Sequence, residues 1–298
     1  MTKKTTKKTD VRFAFFGTAP LAESVLAEIS HAGMTPQKII GSEPITPTMV
    51  EDLRKSAWDV FVVASYGKRI PPEVLKIPRR GVINVHPSLL PRYRGPSPIQ
   101  AAILNGDEVT GVSIMLLDEE MDHGPILAVQ ELGISKFYAT ELQDQLAHLG
   151  AQLLIETIPK WLSSDEIAPQ PQDHAKATYT KMITKEDGRI DWHRSAEAIE
   201  RMIRAYTPWP SAWTTLKQGG KNLRVKILNV SLEGATSDSE ERRSDPKPGT
   251  IIKQNSDLLV ACGEGVLLVE RLQAEGGKPM SGAVFLNGLR DASVIFGI

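Results

Sequence analysis

Asn84-Val85-His86-Pro87-Ser88-Leu89-Leu90-Pro91-Arg92-Tyr93-Arg94-Gly95 ends an apolar strand, turns two polar side chains to one side and then breaks into a proline-braced loop. Side chains two apart on a strand share a face, so Asn84 and His86 point together while Ile83 and Val85 point the other way. Pro87 and Pro91 remove backbone donors and fix φ, which terminates the strand and stiffens the loop beyond it. A buried strand that delivers polar groups into a rigid loop belongs to an open α/β sheet, whose ligands bind at the carboxyl ends of the strands.

The segments on either side extend the pattern. Val11 to Phe16 reads as a buried strand, followed by Gly17-Thr18-Ala19-Pro20 and a helix with Leu21, Val25, Leu26 and Ile29 at helical spacing, Thr18 serving as its N-cap. Ile39-Ile40 is a stub of strand, Thr48 and Glu51 form a capping box for a helix ending near Ser56, and Val60 to Ser65 is a second buried strand. Strands alternating with helices across short connections predict a Rossmann-like, doubly wound, mostly parallel sheet. Gly17 alone is not the Gly-x-Gly-x-x-Gly pattern, so no dinucleotide is implied. Between the alternating run Thr110 to Leu116 and the apolar run Ile126 to Leu132 lies a polar turn, Asp118-Glu119-Glu120-Met121-Asp122-His123-Gly124-Pro125, with Asp122 at its tip. Thr140 and Gln143 cap a long helix whose Leu142, Leu146, Leu149 and Leu153 form a core stripe.

The Asn-x-His-Pro-Ser-Leu-Leu-Pro run followed by Asp-x-Gly resembles the folate-dependent formyltransferases. The resemblance implies that Asn84, His86 and Asp122 are catalytic, that Ser88, Leu89, Leu90 and Pro91 bind folate, and that Tyr66, Gly67 and Arg69 line the pterin pocket. It extends into the second half, where Ala177-Thr178-Tyr179-Thr180-Lys181, Gly188-Arg189-Ile190-Asp191-Trp192 and Ile203-Arg204-Ala205-Tyr206-Thr207-Pro208-Trp209-Pro210 look like the linker and C-terminal domain of the tRNA-acting branch. That branch transfers the formyl group of 10-formyltetrahydrofolate to the α-amino group of initiator methionyl-tRNA for translation initiation, without a metal. In such a mechanism Asn84 donates to the developing oxyanion, His86 assists it, and Asp122 orients His86 and relays the proton.

Each residue also has a plainer reading: Asn84 satisfies a strand end, His86 is a bonded interior histidine, and Asp122 makes an Asx turn. The sequence also departs from the family. His123 stands where a small hydroxyl residue is common, and Pro87 where the tRNA branch often has glycine. Only Gly41 to Ala57 separates Ile40 from Trp58, where tRNA-acting members carry a long basic loop, a helix and a further strand. A formyltransferase or hydrolase acting on an amino sugar or water therefore remains an alternative, as does a noncatalytic folate- or RNA-binding protein on this scaffold.

A chain of 298 residues calls for two domains. The expected division is a disordered basic tail at 1–10, a catalytic domain at 11–165, a linker at 166–187 within the polar, proline-containing stretch Ser163 to Asp187, and a C-terminal domain at 188–298. In the last, a helix from Ser195 to Tyr206 precedes β-like runs at Trp213 to Leu216, Leu223 to Leu232, Leu258 to Cys262 and Val266 to Leu272, with Gln218-Gly219-Gly220-Lys221 as a hairpin turn and Glu233 to Lys247 as a solvated loop. Short strands of this kind suggest a small barrel, and the resemblance implies one of OB type.

Composition is ordinary for a globular protein, at 41% hydrophobic and 24% charged, and no apolar run reaches the ~18 residues of a membrane span. The single cysteine excludes an internal disulfide, and the six histidines lack zinc-type spacing, so a cytoplasmic protein without metal, membrane association or secretory signal is expected, as a monomer. The net charge of -1 conceals an acid-free stretch from Arg201 to Leu232 that contains Arg201, Arg204, Lys217, Lys221, Arg224 and Lys226. These six are the candidate nucleic-acid contacts, with Trp209 and Trp213 read as core.

Overall fold

Phe13–Gly17 (β1) and Val60–Ala64 (β3) are almost wholly buried, as strands covered on both faces must be, and they pair in parallel at the centre of a six-stranded sheet. The computed structural model describes residues 11–18, 20–134, 136–163, 166–218, 221–233, 246–289 and 295–297. Its chain divides into two compact units, one of Met1–Ala102, Asp107–Ser135 and Glu141–Met182, the other of Ile103–Gly106, Lys136–Thr140 and Ile183–Ile298. Residues 1–10, expected to form a basic tail, lie outside the described residues.

In the first unit β1 is followed by α1 (Leu21–His31), β2 (Lys38–Ile40) and α2 (Pro47–Arg54), and β3 by α3 (Pro72–Leu75) and β4 (Val82–His86). Then come α4 (Pro98–Asn105), whose end from Ile103 counts with the second unit, β5 (Val109–Leu116), β6 (Ile126–Gly133) and α5 (Ala139–Leu162), which belongs to the first unit from Glu141. Strand order is β2-β1-β3-β4-β5-β6, parallel from β2 through β4 and antiparallel for β5 and β6. The chain leaves β1 toward β2 on one side and reaches β3 on the other, so the strand order reverses between β1 and β3, the position at whose carboxyl ends open α/β sheets bind ligands. Thr18 and Ser65 meet there, the Thr18 N–H and hydroxyl both donating to the Ser65 carbonyl at 3.2 and 3.0 Å.

One face of the sheet carries an aromatic core of Phe16, Trp58, Phe61 and Tyr66 with Val50, Leu53, Val74 and Val82. On the other, Gly150 of α5 sits so close to Val85 that a Cβ would come within 2.7 Å of its methyl group.

Three caps differ from expectation. Helix α2 is capped by Thr46, whose hydroxyl accepts from the Met49 N–H, because Pro47 is suited to the first helical position and pulls Thr48 inside. Helix α1 has Pro20 at its cap, and the Thr18 hydroxyl is spent on Ser65. Helix α5 begins at Ala139, which puts Thr140 within its first turn. The buried seam of α5 is Leu142, Leu146, Ala147, Gly150, Ala151, Leu154 and Ile158, with Leu149 and Leu153 at its margin. Small residues at 147, 150 and 151 let that side of the helix approach the sheet most closely.

In the second unit Ser195 caps α6 (Ala196–Tyr206) by accepting from the Ala198 N–H. The strands are β7 (Ala212–Gln218), β8 (Lys221–Leu232), β9 (Ile251–Gln254), β10 (Asp257–Ala261), β11 (Val266–Ala274) and β12 (Met280–Ser281), with α7 at Gly282–Asn287. They form an antiparallel sheet ordered β7-β8-β11-β10-β9, with β12 on β11. Its two ends are bridged by Phe296 pairing with Leu216 and Ile295 with Thr250, which curls the sheet toward a barrel. Strands β7 and β8 pair as far as Gln218 and Lys221, while the turn at 219–220 and the loop at 234–245 lie outside the described residues. Among the described residues no helix is long and apolar enough to cross a membrane.

Candidate active site

His86 is the last residue of β4 and only 4% exposed. Its Nε2 lies 3.0 Å from the Tyr93 carbonyl oxygen, which can only accept, so Nε2 carries a proton. That fixes the ring and turns Nδ1 toward Asp122, whose Oδ1 is 3.7 Å away. Asn84, two residues back on the strand, is half-buried, and its side-chain amide has no hydrogen-bond partner among the described residues. The strand thus presents one fixed imidazole and one unengaged amide.

Asp122 arrives from the β5–β6 connection with φ of 49°, in the left-handed region that few residues other than glycine adopt. Its carboxylate accepts from the Gly95 N–H at 2.7 Å, and its carbonyl accepts from Gln172 Nε2 at 2.9 Å. Gly124 must be glycine, because a Cβ there would collide with the Leu116 carbonyl oxygen. Behind this turn Arg94, 1% exposed, donates to the Gln172 side-chain oxygen from Nη2 at 2.7 Å and from Nε at 3.2 Å. Its remaining partners are the Tyr179 hydroxyl and His174 Nδ1. The Arg94 backbone pairs with Thr178 and Thr180. Residues 172–180, expected from sequence to be linker, thus strap the loop beyond β4.

The folate candidates separate into two kinds. Leu89, Pro91, Gly67 and Arg69 retain accessible surface, and Arg69 donates to the Glu119 carbonyl beside the Asp122 turn. Gly67, at φ +71°, has open space where a Cβ would stand. Ser88, Leu90 and Tyr66 are buried. The Ser88 hydroxyl donates to the Arg92 carbonyl, which braces the loop from within. Tyr66 belongs to the aromatic core, edge-on to Phe16, with its hydroxyl donating to the Glu43 carbonyl. Burial, reinforced by the Glu43 charge, raises its phenol above the usual range. Its ring is therefore not presented as a pocket wall. His123 stacks on His174 with centroids 4.1 Å apart, and its Nδ1 lies 2.7 Å from Asp118 Oδ2.

Comparison with known proteins bears on this geometry. Residues 17–158 match the model of the formyl transferase family and residues 182–290 that of the formyl transferase C-terminal domain. A methionyl-tRNA formyltransferase of Roseiflexus castenholzii is 44% identical over 82% of this chain and 75% of its own length. The chain belongs to the methionyl-tRNA formyltransferase family. A second member, from Chloroflexus aurantiacus, is 44% identical over 84% of this chain and 78% of its own. The crystal structure of HypX from Aquifex aeolicus in complex with tetrahydrofolic acid shares the fold, with a TM-score of 0.67 at 18% identity over 93% of this chain and 47% of that one.

In the C-terminal family domain the basic candidates are not equivalent. Arg204 makes a bidentate pair with Glu200, at 2.6 and 3.0 Å, and its Nη1 donates to the Phe137 carbonyl. It is engaged by Glu200, which lies one helical turn before it and immediately ahead of the acid-free stretch. Arg201 donates to the Leu104 carbonyl at 3.3 Å. Lys217, Arg224 and Lys226 lie on one face of the β7–β8 pair, because Trp213 is opposite Lys226 and Thr215 opposite Arg224. Lys217 and Lys226 are exposed, whereas Arg224 lies over the Trp213 ring at 3.6 Å. Trp213 is buried as expected, but Trp209 is 55% exposed and is not core. The Lys221 side chain lies outside the described residues.

Proposed function

We propose that this protein transfers the formyl group of 10-formyltetrahydrofolate to the α-amino group of initiator methionyl-tRNA, as a cytoplasmic monomer serving translation initiation. The observation that carries the reading is the convergence of a free amide, an oriented imidazole and a held carboxylate, Asn84, His86 and Asp122, at the end of β4.

Each group has a distinct task. The Asn84 amide donates to the formyl oxygen as charge builds there during attack by the amine. His86, held through Nε2, keeps Nδ1 within reach of Asp122, so a proton released by the attacking nitrogen passes to this pair. The same pair returns it to N10 of the donor as the carbon–nitrogen bond to N10 breaks. A polar backbone edge and a cation suit the donor's pterin and glutamate ends, and the exposed 67–69 segment supplies both beside the Asp122 turn. Lys217 and Lys226 form the surface for tRNA phosphates, with Arg224 beside them.

The test is incubation with 10-formyltetrahydrofolate and, separately, charged initiator tRNA, charged elongator methionyl-tRNA, amino sugars and water. Formylation of the initiator species is the expected result. Product only on an amino sugar, or only free formate, would overturn the acceptor.

A further inference from the structure

We propose that Gln172 and Arg94 are positioning residues, which set the direction of the Asp122 carboxylate by holding its backbone. The inference rests on the reading of Asp122 as a participant in proton movement. A residue at φ 49° needs external support, and the Gly95 N–H engages only its side chain. Gln172 supplies the rest: its amide N–H groups reach both the Asp122 and the Gly124 carbonyls, at 2.9 and 2.7 Å. Its amide oxygen faces the guanidinium of Arg94, so only one orientation of the amide satisfies every partner.

Arg94 is itself immobilised. Its guanidinium donors reach Gln172, Tyr179 and His174, all on the 172–180 strap, and its backbone N–H and carbonyl pair with Thr178 and Thr180. Releasing the guanidinium from the strap leaves donors unmet on a residue 1% exposed. Arg94 and Gly95, adjacent in the chain, therefore grip Asp122 twice: Gly95 by its carboxylate, and Arg94 through Gln172 by its carbonyl.

The test is a double-mutant cycle of Gln172→Glu with Asp122→Asn, read as kcat and KM for formyl transfer per folate-binding site, so that unfolded protein drops out. Gln172→Glu keeps an acceptor for Arg94 but sets a carboxylate against two carbonyls. Misplacement by about 1 Å costs on the order of 100-fold in rate. The expected result is a kcat loss of that order, with KM for donor and acceptor within about threefold. In the Asp122→Asn background the same change should add little, because groups acting as a unit are not additive. If Gln172→Glu yields no folded enzyme, Gln172→Asn reads the same point, its amide one methylene short of spanning both partners. An unchanged kcat at position 172, or losses that multiply in the double variant, would overturn the inference. Failure of the reading beneath it shows elsewhere, as full activity in Asp122→Asn alone.

Discussion

At the residue scale the candidate site has its hydrogen-bond roles fixed from within the protein. The Tyr93 carbonyl sets the His86 tautomer, and the Gly95 N–H sets the Asp122 carboxylate. Removing one oxyanion donor typically costs ~100 to 1000-fold in rate, so Asn84→Ala is expected in that range. His86→Ala and Asp122→Asn should also lower turnover sharply while tetrahydrofolate affinity stays within a few-fold, as calorimetry would show. Unchanged turnover in any one would remove that residue from the mechanism. A second prediction concerns Cys262, whose thiol burial pushes up to about 12 from an ordinary 9.0. The folded state holds its proton where the unfolded chain loses it, so this contribution is whole below about pH 9 and declines as pH rises toward 12. Iodoacetamide at pH 9 should label unfolded protein and spare native protein; equal labelling would contradict the burial. That Asn84 and His86 share one strand face is legible in the sequence from their spacing of two, whereas the approach of Asp122 to His86 follows there only from the resemblance. The place of Tyr66 is not legible, because an aromatic after a strand looks the same whether it faces core or pocket. Gln172 is invisible there, since nothing in sequence ties it to a turn fifty residues earlier.

At the element scale the strands are the more legible, because burial on both faces writes continuous apolar runs such as Val60–Ala64. Caps are less so, because several hydroxyls compete for each helix start and Pro47 decides one of them. Short elements such as β9 and α7 carry too few residues to show a period. Helix α6 shows how charge counting along a sequence misleads: Arg201 and Arg204 open an acid-free stretch, yet Glu200, just ahead of it and one turn before Arg204, occupies Arg204. Arg204→Ala is therefore expected to destabilise the second unit by roughly 1 to 3 kcal/mol, the cost of stranding a charged, half-satisfied partner. Its effect on the salt dependence of tRNA binding should be negligible. A normal melting temperature with a reduced salt slope would reverse that assignment.

At the scale of the whole molecule a net charge of -1 coexists with a locally basic face, and only the face matters for a polyanion. Lys217 and Lys226 are exposed on the same side of β7 and β8. Neutralising both should weaken tRNA binding and shrink its salt slope by about one unit per lost phosphate contact, leaving folate affinity unchanged. Binding indifferent to salt and to both changes would place the tRNA elsewhere.

The curled sheet of the second unit has a different kind of consequence. Ile295 and Phe296 stitch β7 to the segment entering β9, so the backbone N–H and carbonyl groups at both ends of the sheet find partners within the molecule. Unpaired strand edges are templates for other chains. A version cut before residue 295 would lose the buried Phe296 ring from its place against Trp192 and Phe285, and it would carry two open edges at once, each of which a molecule could offer to a neighbour. Its characteristic defect should be self-association into ribbons that lengthens with concentration.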